Sequence, residues 1–159
     1  QAIKLANTKR IPVIIIQHIA GGSAGLAPFF NKGSAGADVH PCIIAAAPDA
    51  AIVVKGFADG FVKTNLEETL NRLGVTELLV CGMMTQNCVT HTAISKSAEK
   101  YKVSVLTDCC TTVSELLHKI ALNALSTRIS LASAADALKP IFRSCAGLGV
   151  DSRKQADTV

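Results

Sequence analysis

Residues 80–93, VCGMMTQNCVTHTA, decide how this chain is read. The apolar run over residues 76–83, with Leu78, Leu79 and Val80, reads as a strand. It passes through a polar turn into a segment that carries Val89 and Ala93 four residues apart. A strand that turns directly into a helix is the repeating unit of a parallel sheet covered by helices. The turn also sets a thiol, Cys88, just beyond the strand end, where chemistry gathers in such sheets. Thr85 is placed to cap the helix with its hydroxyl, and Cys88 then takes the third helical position. The positive end of a helix dipole favours a thiolate there, and free N–H groups of the same turn can hold an oxyanion.

The same alternation extends in both directions. Residues 11–18 (IPVIIIQH) form a β-branched strand, and residues 1–9 before it read as the last turns of a helix. Residues 50–56 (AAIVVKG) give a second strand that ends in Lys55. In residues 65–74 (NLEETLNRLG), Leu66, Leu70 and Leu73 lie at helical spacing and Gly74 is the stop. Residues 86–101 are expected as one helix and residues 102–110 (KVSVLTDCC) as the fourth strand. Residues 113–126 form a helix with Leu117, Ala121 and Leu125 along its apolar face. Residues 127–133 (TRISLAS) give a short last strand and residues 134–138 a helical turn. Residues 21–48, rich in Gly, Ala and Pro, read as a long irregular excursion of a length that is often functional. The expected fold is α/β, a three-layer α-β-α arrangement around a mostly parallel, Rossmann-like sheet. It spans residues 1–159 as one domain, with 140–159 a loosely attached tail.

Composition narrows the function classes. Apolar residues make up 49% and aromatic residues 4%, so the core is built from Ala, Val, Ile and Leu, which suits a buried parallel sheet. The net charge of +4 is scattered, with no basic cluster interleaved with aromatics, so a nucleic-acid partner has no support. The apolar runs are far below membrane-spanning length, and no signal-peptide pattern opens the chain. A cytoplasmic protein is expected. The six cysteines contain no C-x-x-C pair, and reduced thiols fit that compartment.

Lys55 and Cys88 both fall at C-terminal strand ends. Alone, each residue also fits a plain structural role: a thiol beside Val89 and Met84 as packing, a strand-end lysine as a snorkelling charge. Together they point to a nucleophile with a cationic partner.

Four motifs in order resemble the isochorismatase-like cysteine hydrolase superfamily, which includes nicotinamidases and N-carbamoyl amidases. They are residues 33–41 (GSAGADVHP), residues 53–74 with the lysine strand and leucine helix, residues 80–93 with the cysteine, and residues 103–112 (VSVLTDCCTT). In the last motif Asp108 matches and Cys109 replaces a usual alanine. The resemblance covers residues 11–138 and implies a three-layer α/β fold with an Asp–Lys–Cys triad. It assigns Cys88 as nucleophile and Lys55 as the lysine that assists its ionisation. It also implies a non-proline cis peptide between Met83 and Met84 that aims the N–H groups of Met84 and Cys88 at an oxyanion.

The family's aspartate closes the first strand in an apolar-Asp-x-Gln pattern that this sequence does not contain; Asp38 and Asp59 lie near matched motifs but not at that position. The expectation is that a strand-and-loop segment carrying it lies upstream. The resemblance puts Asn87, Phe57 and Phe61 around the substrate, joined by Gln17 and His18; core packing for the two phenylalanines and helix capping for Asn87 are the plain alternatives.

Nicotinamidases of this fold carry an Asp-x-His metal set beyond the second strand, where this chain has Gln17 and His18. No metal and no cofactor are expected. His40 belongs to the His-Pro loop, and His91 and His118 read as solvated or capping residues. The implied reaction is hydrolysis of an amide or carbamoyl C–N bond of a small molecule through a Cys88 thioester. The alternatives are vinyl ether hydrolysis of the isochorismatase type and a catalytically silent binding or assembly member. A homo-oligomer, dimer or tetramer, is implied as well.

Overall fold

A computed structural model describes residues 1–20 and 29–139. Helix α1 (Ala2–Thr8) leads into strand β1 (Ile14–His18), and α2 (Pro41–Ala46) into β2 (Ala51–Lys55). Helix α3 (Leu66–Arg72) precedes β3 (Glu77–Met83), and a wide turn (Thr85–Val89) opens into the short α4 (Thr90–Ala93). Strand β4 (Lys102–Thr111), helix α5 (Glu115–Ser126), β5 (Ser130–Ala132) and α6 (Ala134–Ala137) complete the order. Every strand pair is parallel, so the molecule is the α/β fold expected from its alternating pattern.

The strands fall into two hydrogen-bonded groups, β1-β2 and β3-β4-β5. Between them runs an apolar cleft of about 420 Å³, with Ile14 and Ile16 of β1 on one wall and Leu78 and Val80 of β3 on the other. The apolar core gathers Val53 of β2, Val105 of β4, Leu70, Val89 and Leu125, and Phe61 stacks on Tyr101 at 6.4 Å between ring centroids. Small branched side chains fill this core, as the low aromatic content requires.

Local sequence explains the element ends. Ser114 caps α5 by accepting the Leu117 N–H at 3.3 Å, and Gly74 stops α3 with a left-handed φ of +63°. The excursion over residues 21–48 holds a helix that its composition concealed. Pro41 at its first position presets φ, and the His40 ring accepts the Cys42 N–H at 3.2 Å. The segment 86–101 is not one helix: Ser95 turns extended at ψ 144° and its hydroxyl accepts the Ser97 N–H, which ends α4 after a single turn.

The inward stripe of α5 also differs from the expected one. Leu117 is exposed, while His118, Ala121, Leu122 and Leu125 form the stripe that faces the sheet. The tail expected over residues 140–159 lies outside the described residues, as does the part of the excursion over 21–28. Among the described residues no helix is long and apolar enough to cross a membrane.

Leu125, 2% exposed, anchors α5 to the sheet. Leu125→Ala is expected to lower stability by about 2–5 kcal/mol in urea unfolding, as buried leucine truncations do. A loss below about 1 kcal/mol would show that α5 is not held by this contact.

Candidate active site

Strand alternation delivers Lys55 to the interior. In β2, Val53 and Lys55 point inward and Ile52 and Val54 outward, so the lysine shares the buried face although it is charged. Parallel pairing of β1 with β2 sets His18 opposite Lys55. The result is an ammonium only 4% exposed. Its Nζ donates to the Phe57 carbonyl at 2.7 Å and to Cys88 Sγ at 3.2 Å, and lies 3.0 Å from His18 Nδ1. An ammonium has three protons, and this one has three acceptors. That count closes only if His18 presents an unprotonated Nδ1, the neutral form with its proton on Nε2. The environment pushes the same way. Burial lowers the imidazole pKa first and the Lys55 charge lowers it further, against a smaller opposite effect of the Phe57 backbone.

Cys88 enters from the other strand group. The Met83–Met84 peptide that leaves β3 is cis, and the backbone then forms a wide π-type turn over Thr85–Val89. The Asn87 and Val89 amides both donate to the Met84 carbonyl, at 3.0 and 3.3 Å, and the Thr90 hydroxyl donates to the Thr85 carbonyl at 2.6 Å. Thr85 does not cap this turn. Its side chain is fully buried, and its hydroxyl donates to the Thr111 carbonyl at 3.0 Å and lies 2.9 Å from His118 Nδ1. Because α4 is one turn long, the helix dipole offers Cys88 little; the charge that meets the sulfur is that of Lys55.

His18, Lys55, the Phe57 carbonyl and Cys88 therefore gather at one point, and Phe30 stands edge-on to the His18 ring at 5.6 Å. The other candidate positions take other surroundings. The Gln17 amide donates to the Ala37 carbonyl at 2.8 Å. Phe57 is 47% exposed, beneath the Lys63 ammonium at 5.2 Å, whereas Phe61 is 9% exposed and stacked in the core. Asn87 is half-buried, and its backbone carbonyl lies 2.8 Å from His91 Nδ1. Asp59 accepts the Phe61 N–H at 2.8 Å. Phe30 and His118 are the residues that sequence reasoning missed. Helical spacing was the available signal for His118, three and seven residues before the buried Ala121 and Leu125.

The five described cysteines are all free thiols. Burial pushes the Cys110 thiol up to about 11. Cys81, exposed on the wall of the cleft, is also raised, first by desolvation within the sheet and then by Cys109 and Asp108.

The His18 environment has a stability consequence. In the unfolded chain the imidazole titrates near 6.5, and in the fold its pKa is lower. Between those values the unfolded state binds more protons, so stability falls as pH drops below 6.5 and is unaffected above it. His18→Asn keeps an acceptor for Lys55 but cannot titrate. Urea unfolding at about pH 7.5 and about pH 5.5 should show a smaller acid loss in the variant than in the parent. Equal losses would mean that His18 is not held neutral.

Comparison with known proteins places the chain in a family. The isochorismatase domain model matches residues 1–136. An uncharacterized isochorismatase family protein of Bacillus subtilis (strain 168) is 34% identical over 101 residues, 64% of this chain and 54% of that protein. A protein of Arabidopsis thaliana named a probable inactive nicotinamidase is 32% identical over 88 residues, 55% of this chain and 45% of its own. The chain thus spans about half the length of these relatives. The crystal structure of an isochorismatase-like hydrolase from Alkaliphilus metalliredigens superposes with a TM-score of 0.70 at 24% identity, covering 85% of this chain and 82% of that one. Fold, motif order and domain match lead to one family: this chain belongs to the isochorismatase family.

Proposed function

We propose that this chain forms the nucleophile-bearing part of a cysteine hydrolase that cleaves an amide or carbamoyl C–N bond of a small molecule. The observation that carries the reading is the Lys55 ammonium, buried and donating to Cys88 Sγ at 3.2 Å. A cation fixed at that distance stabilises negative charge on sulfur as it develops, and the thiolate is the attacking species. Sulfur adds to the acyl or carbamoyl carbon, the amine or ammonia leaves with a proton, and water then cleaves the thioester. The N–H groups of Met84, which precedes the turn, and of Cys88, within it, are assigned to the oxyanion.

The acid–base group that the family resemblance implies is an aspartate closing an apolar strand. The cleft between β1 and β3, with its isoleucine and leucine walls, has the character that such a strand would fill. His18, Phe57 and Asn87 are assigned to the rim of the substrate pocket, with Gln17 and Phe61 behind them. Assembly as a dimer or tetramer and a cytoplasmic location belong to the same reading. Leu116 and Ile120, exposed four residues apart on α5, with the exposed Val113 just before the helix, support a partner surface.

A second reading, a silent binding member, is favoured by the identity of the Lys55 partners: a carbonyl, an imidazole and a sulfur, with no carboxylate in contact among the described residues. The relative named a probable inactive nicotinamidase is consistent with it.

A panel of small amides and carbamoyl compounds separates these readings. Cys88→Ala is expected to cut hydrolysis by roughly 10³-fold or more, and Lys55→Met to a comparable extent. Hydrolysis that survives Cys88→Ala would remove the thioester route. In the parent protein Cys88 should alkylate faster near neutral pH than Cys110, which burial holds at about 11, and faster than Cys81.

A further inference from the structure

The nucleophile turn is tied to the rest of the molecule through a contact that the chemistry above does not use. Thr85 opens the turn, three residues before Cys88, and is fully buried. Its hydroxyl meets two groups: the Thr111 carbonyl at 3.0 Å and His118 Nδ1 at 2.9 Å. A hydroxyl has one proton. Given to the Thr111 carbonyl, that proton leaves the oxygen lone pairs to accept, and His118 must be the donor through Nδ1–H. Given instead to His118, it would leave the carbonyl contact as acceptor facing acceptor. Only the first arrangement satisfies both contacts of the fully buried Thr85 hydroxyl, for which an unpaired polar contact is costly.

Each end of this chain belongs to a different element. Thr111 closes β4 and pairs with Met83, the last residue of β3 before the cis peptide, while His118 lies on the inward stripe of α5. Helix α5 packs against the turn itself. The turn thus hangs between two strand ends and a helix; Val89 shares the apolar core with Leu125 of α5, and the polar side-chain link to α5 among the described residues passes through the His118 imidazole.

We propose that His118 is a positioning residue that holds the Cys88 turn to α5 by donating Nδ1–H to the Thr85 hydroxyl. It touches neither Cys88 nor Lys55 and acts through Thr85, by fixing where the Cys88 sulfur sits relative to the Lys55 ammonium. The inference rests on the reading of Cys88 as the nucleophile.

The test is the iodoacetamide alkylation rate of each cysteine, followed by peptide mass mapping near neutral pH, on variants shown to be folded by circular dichroism. Asparagine can present an N–H where His118 Nδ1 stands; glutamine reaches past that point and leucine has no donor. His118→Leu is expected to slow Cys88 alkylation by on the order of ten- to a hundredfold while Cys81 and Cys110 keep their rates. His118→Asn should restore the Cys88 rate to within about threefold of the parent, and Thr85→Val should behave like His118→Leu. A folded His118→Leu protein with the parent Cys88 rate would overturn the proposal. If His118→Leu does not fold, His118→Asn against His118→Gln carries the test, and equal Cys88 rates in the two would overturn it. The parent protein gives a separate answer on the underlying reading: if its Cys88 is no faster than Cys81, the nucleophile assignment fails, whatever the His118 variants do.

Discussion

A charged lysine in the interior of a small apolar domain is the constraint around which the rest is arranged. The Lys55 ammonium cannot be left without acceptors at 4% exposure, because an unpaired buried charge costs several kcal/mol. Three acceptors come from three places in the chain: a carbonyl two residues on, an imidazole on the neighbouring strand and the sulfur of a distant turn. Strand alternation forces the lysine inward with Val53, parallel register brings His18 beside it, and the turn after β3 brings Cys88. Packing, hydrogen bonding and chemistry meet on one nitrogen atom.

The molecule separates the parts that carry stability from the parts that carry the site. The apolar cluster holds Val53, Val105 and Leu125, and the polar contacts of Lys55 lie at the strand ends. The turn that holds Cys88 is a wide π-type turn whose backbone bonds are supplemented by two side chains, the Thr90 hydroxyl on one side and the Thr85 hydroxyl on the other.

Much of this was legible in the sequence, for physical reasons. Strands β1 to β4 show as short apolar runs, and α3 and α5 as spaced leucines ended by glycine or begun by serine, because the hydrophobic period reflects burial directly. The Lys55–Cys88 approach was legible as two strand-end residues in an α/β chain. What escaped was settled by tertiary contact. Helix α2 lies in a glycine- and proline-rich stretch and is organised by a histidine ring that accepts a backbone amide. The break at Ser95 depends on a local side-chain bond that helix propensity does not weigh. Thr85 could be recognised as polar and next to a turn, but whether its hydroxyl would cap the turn or reach β4 and α5 depends on the backbone path set by the Met83–Met84 peptide. His118 was misread because it was judged alone and not as part of the stripe with Ala121 and Leu125.

The central claim is that Cys88 forms a covalent acyl intermediate beside Lys55. The most direct test is to mix the protein with an activated nitrophenyl ester, quench in acid within the first turnover and locate the acyl group by mass spectrometry. The account predicts one acyl group on Cys88 that disappears on longer incubation as water releases it, and none in a Cys88→Ser variant quenched at the same time. An unmodified Cys88 while nitrophenol is released, or an acyl group on Cys81 or Cys110 instead, would contradict it.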